Sequence, residues 1–303
     1  MASLFELLKK RLEALPQSEE ITLYPKNEVA IELFEYFSKS GRKIEIVNNI
    51  SVNHKTICIC ADSEKENYLE KINSIKIKGY LPNIIVGGIE HSIKNQRYME
   101  NIEAKNKLTS HAVGYNYTKA HLYECLKKVK DENLKGFIVE LGTFEAGTLG
   151  LLEKVSYELG INKRVKLIGF DTWDGEIHRR QPMDAFNLTE WAGKSMEKAR
   201  ENVSERVDLI RGDIIDTFPK WIKSSKGKIV FAFIDTDNYS AVKNALPLLW
   251  KRLSVGGSVV FDHYYTEEEY VDTLGERIAA KEFFKNRTDF FNLTGTGVFF
   301  KTK

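Results

Sequence analysis

Residues 231–265 read FAFIDTDNYSAVKNALPLLWKRLSVGGSVVFDHYY, and this stretch decides the fold. An unbroken apolar run ends in two carboxylates, Asp235 and Asp237. An amphipathic stretch follows, and a second apolar run after Gly256-Gly257 ends in Asp262 and His263. Short apolar runs without alternation fit strands covered on both faces, as in a parallel sheet flanked by helices. Ligands of open α/β sheets bind beyond the carboxyl ends of such strands. Groups that resist burial therefore stand where a ligand could use them.

The same alternation extends in both directions. It predicts strand 137–141, helix 147–159, strand 165–170, helix 190–203 and strand 207–211. A short helix near 216–223, strand 229–234, helix 239–252, strand 256–261 and a helix near 266–285 follow. DFFNLTG and TGVFFKTK then form an antiparallel pair. The fold class expected is α/β, a doubly wound, mostly parallel Rossmann-like sheet with a reversed edge strand. Upstream, YTKAHLYECLKKVKDENLKG places Ala120, Leu122, Leu126 and Val129 along one helical side.

Before it, ITLYP, NEVAIELFEYFSKSG, KIEIVNN, KTICICA, SEKENYLEKINSIKIKG and NIIVGG alternate strand and helix in a smaller parallel α/β unit. The expected domains are 1–95 and 96–303. The first turn of the smaller unit, YPKNEV, has no glycine to admit a pyrophosphate. That unit reads as a docking, oligomerising or substrate-covering domain.

The 303 residues carry 45 basic and 43 acidic side chains, a net charge of +2. That balance argues against nucleic acid or a membrane surface as main partner. Cys58, Cys60 and Cys125 lack metal-type spacing and read as small buried hydrophobes in a reducing compartment. Phe5, Leu8, Leu12 and Leu15 form a stripe interrupted by Lys9, Lys10 and Arg11, unlike a signal peptide. No apolar run reaches membrane-spanning length. The expectation is a cytoplasmic protein, with a homo-oligomer left open by the apolar stripe.

In FIVELGTFEAGTLGLL, Gly142 and Gly147 flank a turn that carries Glu140 and Glu145 rather than a phosphate-binding Lys-Ser/Thr pair. Acids there suit a cationic, hydroxyl-rich ligand such as S-adenosylmethionine, with its ammonium, sulfonium and ribose. Asp171, after KLIGF, stands where a carboxylate takes ribose hydroxyls, and Asp213, in LIRGDIID, where one receives the adenine amino group. Each acid alone has a plain alternative as a helix N-cap. Acids at the ends of three successive strands make the ligand reading the stronger one.

The ordered segments GYNYTKAHLYECLKKV, IVELGTFEAGT, GFDTWDG, KSMEKARENV, GDIIDTFP and FIDTDNYSAVKNALPLLWKRLSVGGSVVFDHY resemble class I S-adenosylmethionine-dependent methyltransferases, and more narrowly the macrocin-type sugar O-methyltransferases. The resemblance covers roughly residues 110–265 and leaves the first 90 without a counterpart. It implies that Glu140 and Gly142 shape the methionine end of the cofactor, that Asp171 holds the ribose, that Asp213 faces adenine and that Ser195 lies nearby.

Neighbouring strands ending at Ile234 and Phe261 would bring Asp235, Asp262 and His263 together as a site for magnesium or manganese and an acceptor hydroxyl. The macrocin-type pattern has an acid where this chain has His263, and an imidazole suits manganese, iron or zinc better than magnesium. Asp235 and His263 are the candidate catalytic residues. His263 is alternatively a base or a helix cap, and Asp237 a cap for the helix near Tyr239.

DTWDGEIHRRQPMDAFNLTEWAGKS reads as a lid. Its His178, Arg179 and Arg180 could meet a phosphate or be a solvated basic loop, and Trp173 and Trp191 could stack on a sugar or pack. His91, His111 and His121 lack partner spacing. The expected activity is methyl transfer to a hydroxyl of a sugar or similar small molecule, assisted by a divalent metal. Alternatives are a non-catalytic adenosyl-binding scaffold and an iron-dependent hydroxylase-like relative.

Overall fold

The computed structural model describes residues 4–61, 67–68, 71–72, 74–75, 77, 80, 82–86, 91–106, 116–174, 180–184, 195–264, 274–292 and 297–303. Two compact units form, residues 1–98 and residues 99–292 with 297–303.

In the first unit, α1 (Leu4–Glu13) is followed by β1 (Ile21–Tyr24), α2 (Glu28–Ser38), β2 (Ile44–Ile46), β3 (Thr56–Ile59), β4 (Asn83–Ile85) and β5 (His91–Ser92). The sheet order is β2-β1-β3-β4-β5, parallel except for β5. Leu8 and Leu12 of α1 pack with Leu33 and Phe37 of α2 and with Cys58 and Cys60, while Phe5 and Leu15 sit at the margin. Both thiols are buried, and a hydrogen bond with Cys60, then burial, pushes Cys58 well above the usual thiol range. They behave as core hydrophobes. The helix expected in SEKENYLEKINSIKIKG lies largely outside the described residues.

The second unit takes in the rest of α3 (Ile93–Asn106) and α4 (Asn116–Asp131), whose Ala120, Leu122, Leu126 and Val129 are buried. Then follow β6 (Gly136–Leu141), α5 (Gly147–Glu158), β7 (Val165–Asp171), α6 (Met196–Asn202), β8 (Asp208–Arg211), α7 (Ile214–Ser224), β9 (Ile229–Ile234), α8 (Tyr239–Arg252), β10 (Leu253–Phe261), α9 (Leu274–Phe284), β11 (Phe290–Asn292) and β12 (Val298–Lys301). The sheet order is β8-β7-β6-β9-β10-β12-β11, with β12 antiparallel to both neighbours. This is a Rossmann-like, doubly wound sheet whose strand order reverses between β6 and β9.

Every residue of β9 is buried, which explains its unbroken apolar run. Phe218 and Trp221 of α7 stack on one another and meet Phe170 edge-on, covering one face. Removing a buried ring such as Phe218 would cost about 3–5 kcal/mol. Two boundaries depart from the sequence expectation. β10 begins at Leu253, because a register shift between Leu253 and Ser258 lets the strand continue through the glycine pair. Among the described residues α6 begins at Met196, and 185–194 lie outside them.

Candidate active site

Strand register assembles the site. Leu141 pairs with Phe170 and with Ile234, and Ile234 pairs with Phe261. One residue further on, Gly142, Asp171, Asp235 and Asp262 therefore leave four adjacent strands at the same level. They do so across the point where the strand order reverses. Glu140, two residues before Gly142, is buried beneath them, with no hydrogen-bond partner for its Oε2 among the described residues.

The acids feel one another. Burial raises the Glu140 pKa well above the usual carboxylate range, and the charges of Asp235, Asp171 and Asp262 push it the same way. A side-chain hydrogen bond with Thr143 opposes them. Burial also raises Asp171, against backbone hydrogen bonds that favour its charged form. A buried acid whose ionisation is opposed by burial and by neighbouring carboxylates marks a place where a cation would be welcomed.

Backbone strain gathers at the same edge. Of the five described non-glycine residues with left-handed φ, Phe144, Ala146, Trp173 and Asp237, at 47°, 60°, 45° and 53°, follow β6, β7 or β9, and the fifth, Asn133, follows α4. Such conformations persist only where the surroundings enforce them, and they cluster at ligand sites. The enforcement is visible. Asp171 Oδ2 accepts from the Phe144 amide at 2.7 Å and its Oδ1 from the Trp173 amide at 3.2 Å. The indole Nε1 of Trp173 donates to Phe144 O at 2.6 Å. Trp173 is buried, so of its two expected roles it packs.

Gly142 is needed for close approach. Its φ is +82°, and a Cβ there would lie 1.8 Å from Asp235 O. The amide of Asp235 donates to Leu141 O at 2.9 Å. β6 and β9 thus touch through backbone directly beside the candidate catalytic carboxylate.

The loop after Asp235 is pinned by two acids that spacing did not single out. Glu276 of α9, fully buried, accepts from the Thr236 amide at 3.0 Å. Asp184 accepts from the Ser240 amide at 2.7 Å and hydroxyl at 2.8 Å, and from the Arg180 and Gln181 amides at 2.6 and 2.8 Å. These donors hold the Asp184 pKa below its ordinary value although burial pulls upward. Glu276 had a signal in sequence: it shares the i, i+3, i+4 stripe of Ala279 and Ala280. Asp184 had none, since its partner Ser240 lies 56 residues away.

The remaining expected residues have local roles. Asp213 caps α7, accepting from the Ile215 amide at 2.9 Å, and its other oxygen pairs with Arg180. Ser195 caps α6, accepting from the Lys198 amide at 3.2 Å. The cap of α8 is Asn238, accepting from Ala241 at 2.9 Å, so Asp237 is not the cap. Asp262, His263 and Tyr264 form a short 3-10 turn. Among the described residues, no three His, Cys, Asp or Glu side chains stand close enough to hold a metal ion. The side chain of His263 lies outside that description, as do His178, Arg179, Trp191, His111 and the side chain of His91.

Comparisons with known proteins bear on the fold of the second unit. A family model described as a methyltransferase domain matches residues 139–264, from the end of β6 to the turn after β10. Among solved structures, the O-methyltransferase NovP aligns with a TM-score of 0.50 and 19% identity, over 60% of this chain and 78% of its own. The calicheamicin methyltransferase CalS11 aligns with a TM-score of 0.49 and 19% identity, over 69% of this chain and 91% of its own. No curated protein sequence matches the chain. Among the described residues no helix is long and apolar enough to cross a membrane.

Proposed function

Starting from residues 139–264 as a methyltransferase domain, with S-adenosylmethionine as its methyl donor, we propose that the protein methylates a hydroxyl of a sugar or similar polyhydroxylated small molecule. The observation that carries the reading is Glu140, buried at the switch point with an unpartnered oxygen and three more carboxylates around it. A cationic ligand completes such a site. The ammonium and sulfonium of the donor fit it, and a phosphate would not.

In this reading Glu140 and Gly142 hold the methionine end, Asp171 the ribose hydroxyls and Asp213 the adenine amino group, with Ser195 alongside. Ribose hydroxyls would share Asp171 with its backbone donors, and Asp213 would exchange its Arg180 contact for the base. When bound, the donor supplies an activated methyl on a good leaving group, so the chain's task is positioning. Asp235, fixed by Gly142, Leu141 O and the Glu276-braced loop, takes the acceptor's proton, with His263, in the turn after the next strand, as the second proton carrier. Asp235, Asp262 and His263 would hold a divalent ion, which lowers the pKa of a bound hydroxyl. Manganese suits that donor set better than magnesium. Residues 1–95 are proposed to cover substrate or to mediate self-association.

The test is titration with S-adenosylmethionine and S-adenosylhomocysteine, with NAD as control, followed by labelled-methyl transfer to nucleotide sugars with and without chelator. Saturable binding of the two adenosyl ligands alone, then transfer, supports the proposal. Binding without transfer to any hydroxyl acceptor returns the protein to a scaffold reading. Full turnover in excess chelator removes the metal.

A further inference from the structure

The opposite edge of the seven-stranded sheet, where the strands begin, holds a cavity of about 470 Å³. Phe137, Val165 and Leu167 supply apolar wall at the starts of β6 and β7, and Tyr157 supplies an aromatic wall at the end of α5. Five cations line it, Lys163, Arg164, Lys166, Arg206 and Lys226, against one carboxylate, Glu153.

The charge is largely uncompensated. Of the five, Lys166 sits on a carboxylate, Asp208, at 2.6 Å. Arg164 donates to the neutral Oδ1 of Asn133. Arg206 donates to the Tyr157 hydroxyl at 3.0 Å and to Asn162 O at 3.1 Å, with its guanidinium 5.7 Å from the centre of the tyrosine ring. Glu153 is turned to the protein, accepting from the Ser204 amide at 3.0 Å and from the Ser204 hydroxyl.

Cations near a helix end can simply complement its dipole. Here that need is already met. The last carbonyls of α5 accept from backbone: Leu159 on Val155 O at 2.9 Å, Gly160 on Tyr157 O at 2.9 Å, and Ile161 and Asn162 on Ser156 O at 2.9 and 3.1 Å. The cations are surplus to the cap.

We propose that this cavity binds a small molecule carrying at least two phosphate charges, separately from the methyl-transfer site. Two arginine forks held by neutral acceptors and two exposed lysines match the planar and point-charge modes of phosphate recognition. The volume is that of an ordinary small-molecule pocket, and Phe137 and Tyr157 offer an apolar half to the rest of the ligand.

Calorimetric titration of the full chain with inorganic pyrophosphate and with ADP, at about 0.15 M salt to screen diffuse attraction, tests the proposal. Saturable binding is expected for at least one probe, weakened roughly tenfold or more in a Lys163→Glu/Lys226→Glu variant. Both lysines are exposed, so the melting temperature should stay within about 1–2 °C of the parent. Arg206→Lys, which keeps the charge and loses the fork, should fall between the two. Absence of saturable binding by both probes overturns the proposal, as does equal affinity in parent and double variant. Binding of an RNA oligonucleotide with neither small probe bound also overturns it, in favour of an extended polyanion surface.

Discussion

In each unit the first strand leads through a turn into a helix, and the two turns are built in opposite ways. After β1, Asn27 caps α2, accepting from the Ala30 amide at 2.9 Å, and its side-chain nitrogen donates to Cys60 O. The helix end is filled by the chain itself. After β6, the residue at the cap of α5 is Ala146, left-handed and with no side-chain cap bond. That helix end is left for something else, and the loop before it is held by Asp171 and Trp173. One turn spends its polar groups on stability and the other reserves them. On the reading proposed above, the open turn is the one that takes the methyl donor, whose carboxylate suits the free N–H groups of that helix end.

The comparison can be broken by mutation. The largest effect is expected for Gly142→Ala, because the new Cβ collides with Asp235 O in a left-handed backbone. A loss of about 3 kcal/mol or more in denaturant unfolding should accompany loss of donor binding. Intact stability and binding would show that β6 and β9 can separate at no cost.

Next comes Glu276→Ala, which removes the acceptor of the Thr236 amide. It should cost about 1–3 kcal/mol and lower turnover by more than it lowers donor affinity, since it frees the loop that carries Asp235. Equal losses in both would make Glu276 a general core residue.

Glu140→Gln sharpens the comparison through pH. The folded pKa of Glu140 lies above its ordinary value of 4.5, so its stabilising contribution is full below that value. The contribution is lost as pH rises through the raised folded pKa. Asp171 acts with the same sign. The parent should therefore lose stability with rising pH over that window, and Glu140→Gln should lose less. Thermal melts across pH would show it, and parallel curves would contradict it.

The smallest effect belongs to the other turn. Asn27→Ala should cost about 1 kcal/mol from the lost cap, with donor affinity unchanged.

The strand positions were legible because their apolar runs are short, β-branched and bounded by turns. Residues of β9 and β6 could be read straight off the sequence. The acids at the strand ends were legible for the same reason: a carboxylate closing a buried run breaks the pattern. What those acids touch was not legible. The pairing of Asp213 with Arg180 and of Asp184 with Ser240 depends on how loops 33 and 56 residues apart meet, and no local pattern encodes that. Likewise, the left-handed Phe144 is held by Asp171 and Trp173 rather than by its own residue type.

The central claim is that the buried acids await a cation, and proton release measures it most directly. S-adenosylmethionine is titrated calorimetrically in two buffers of different ionisation enthalpy near neutral pH, with parent and Glu140→Gln. A positive ligand should force the raised Glu140 to ionise. The account predicts proton release in the parent, tighter binding as pH rises, and little release in the variant. Binding with no proton released, or with the same release in both proteins, would contradict it.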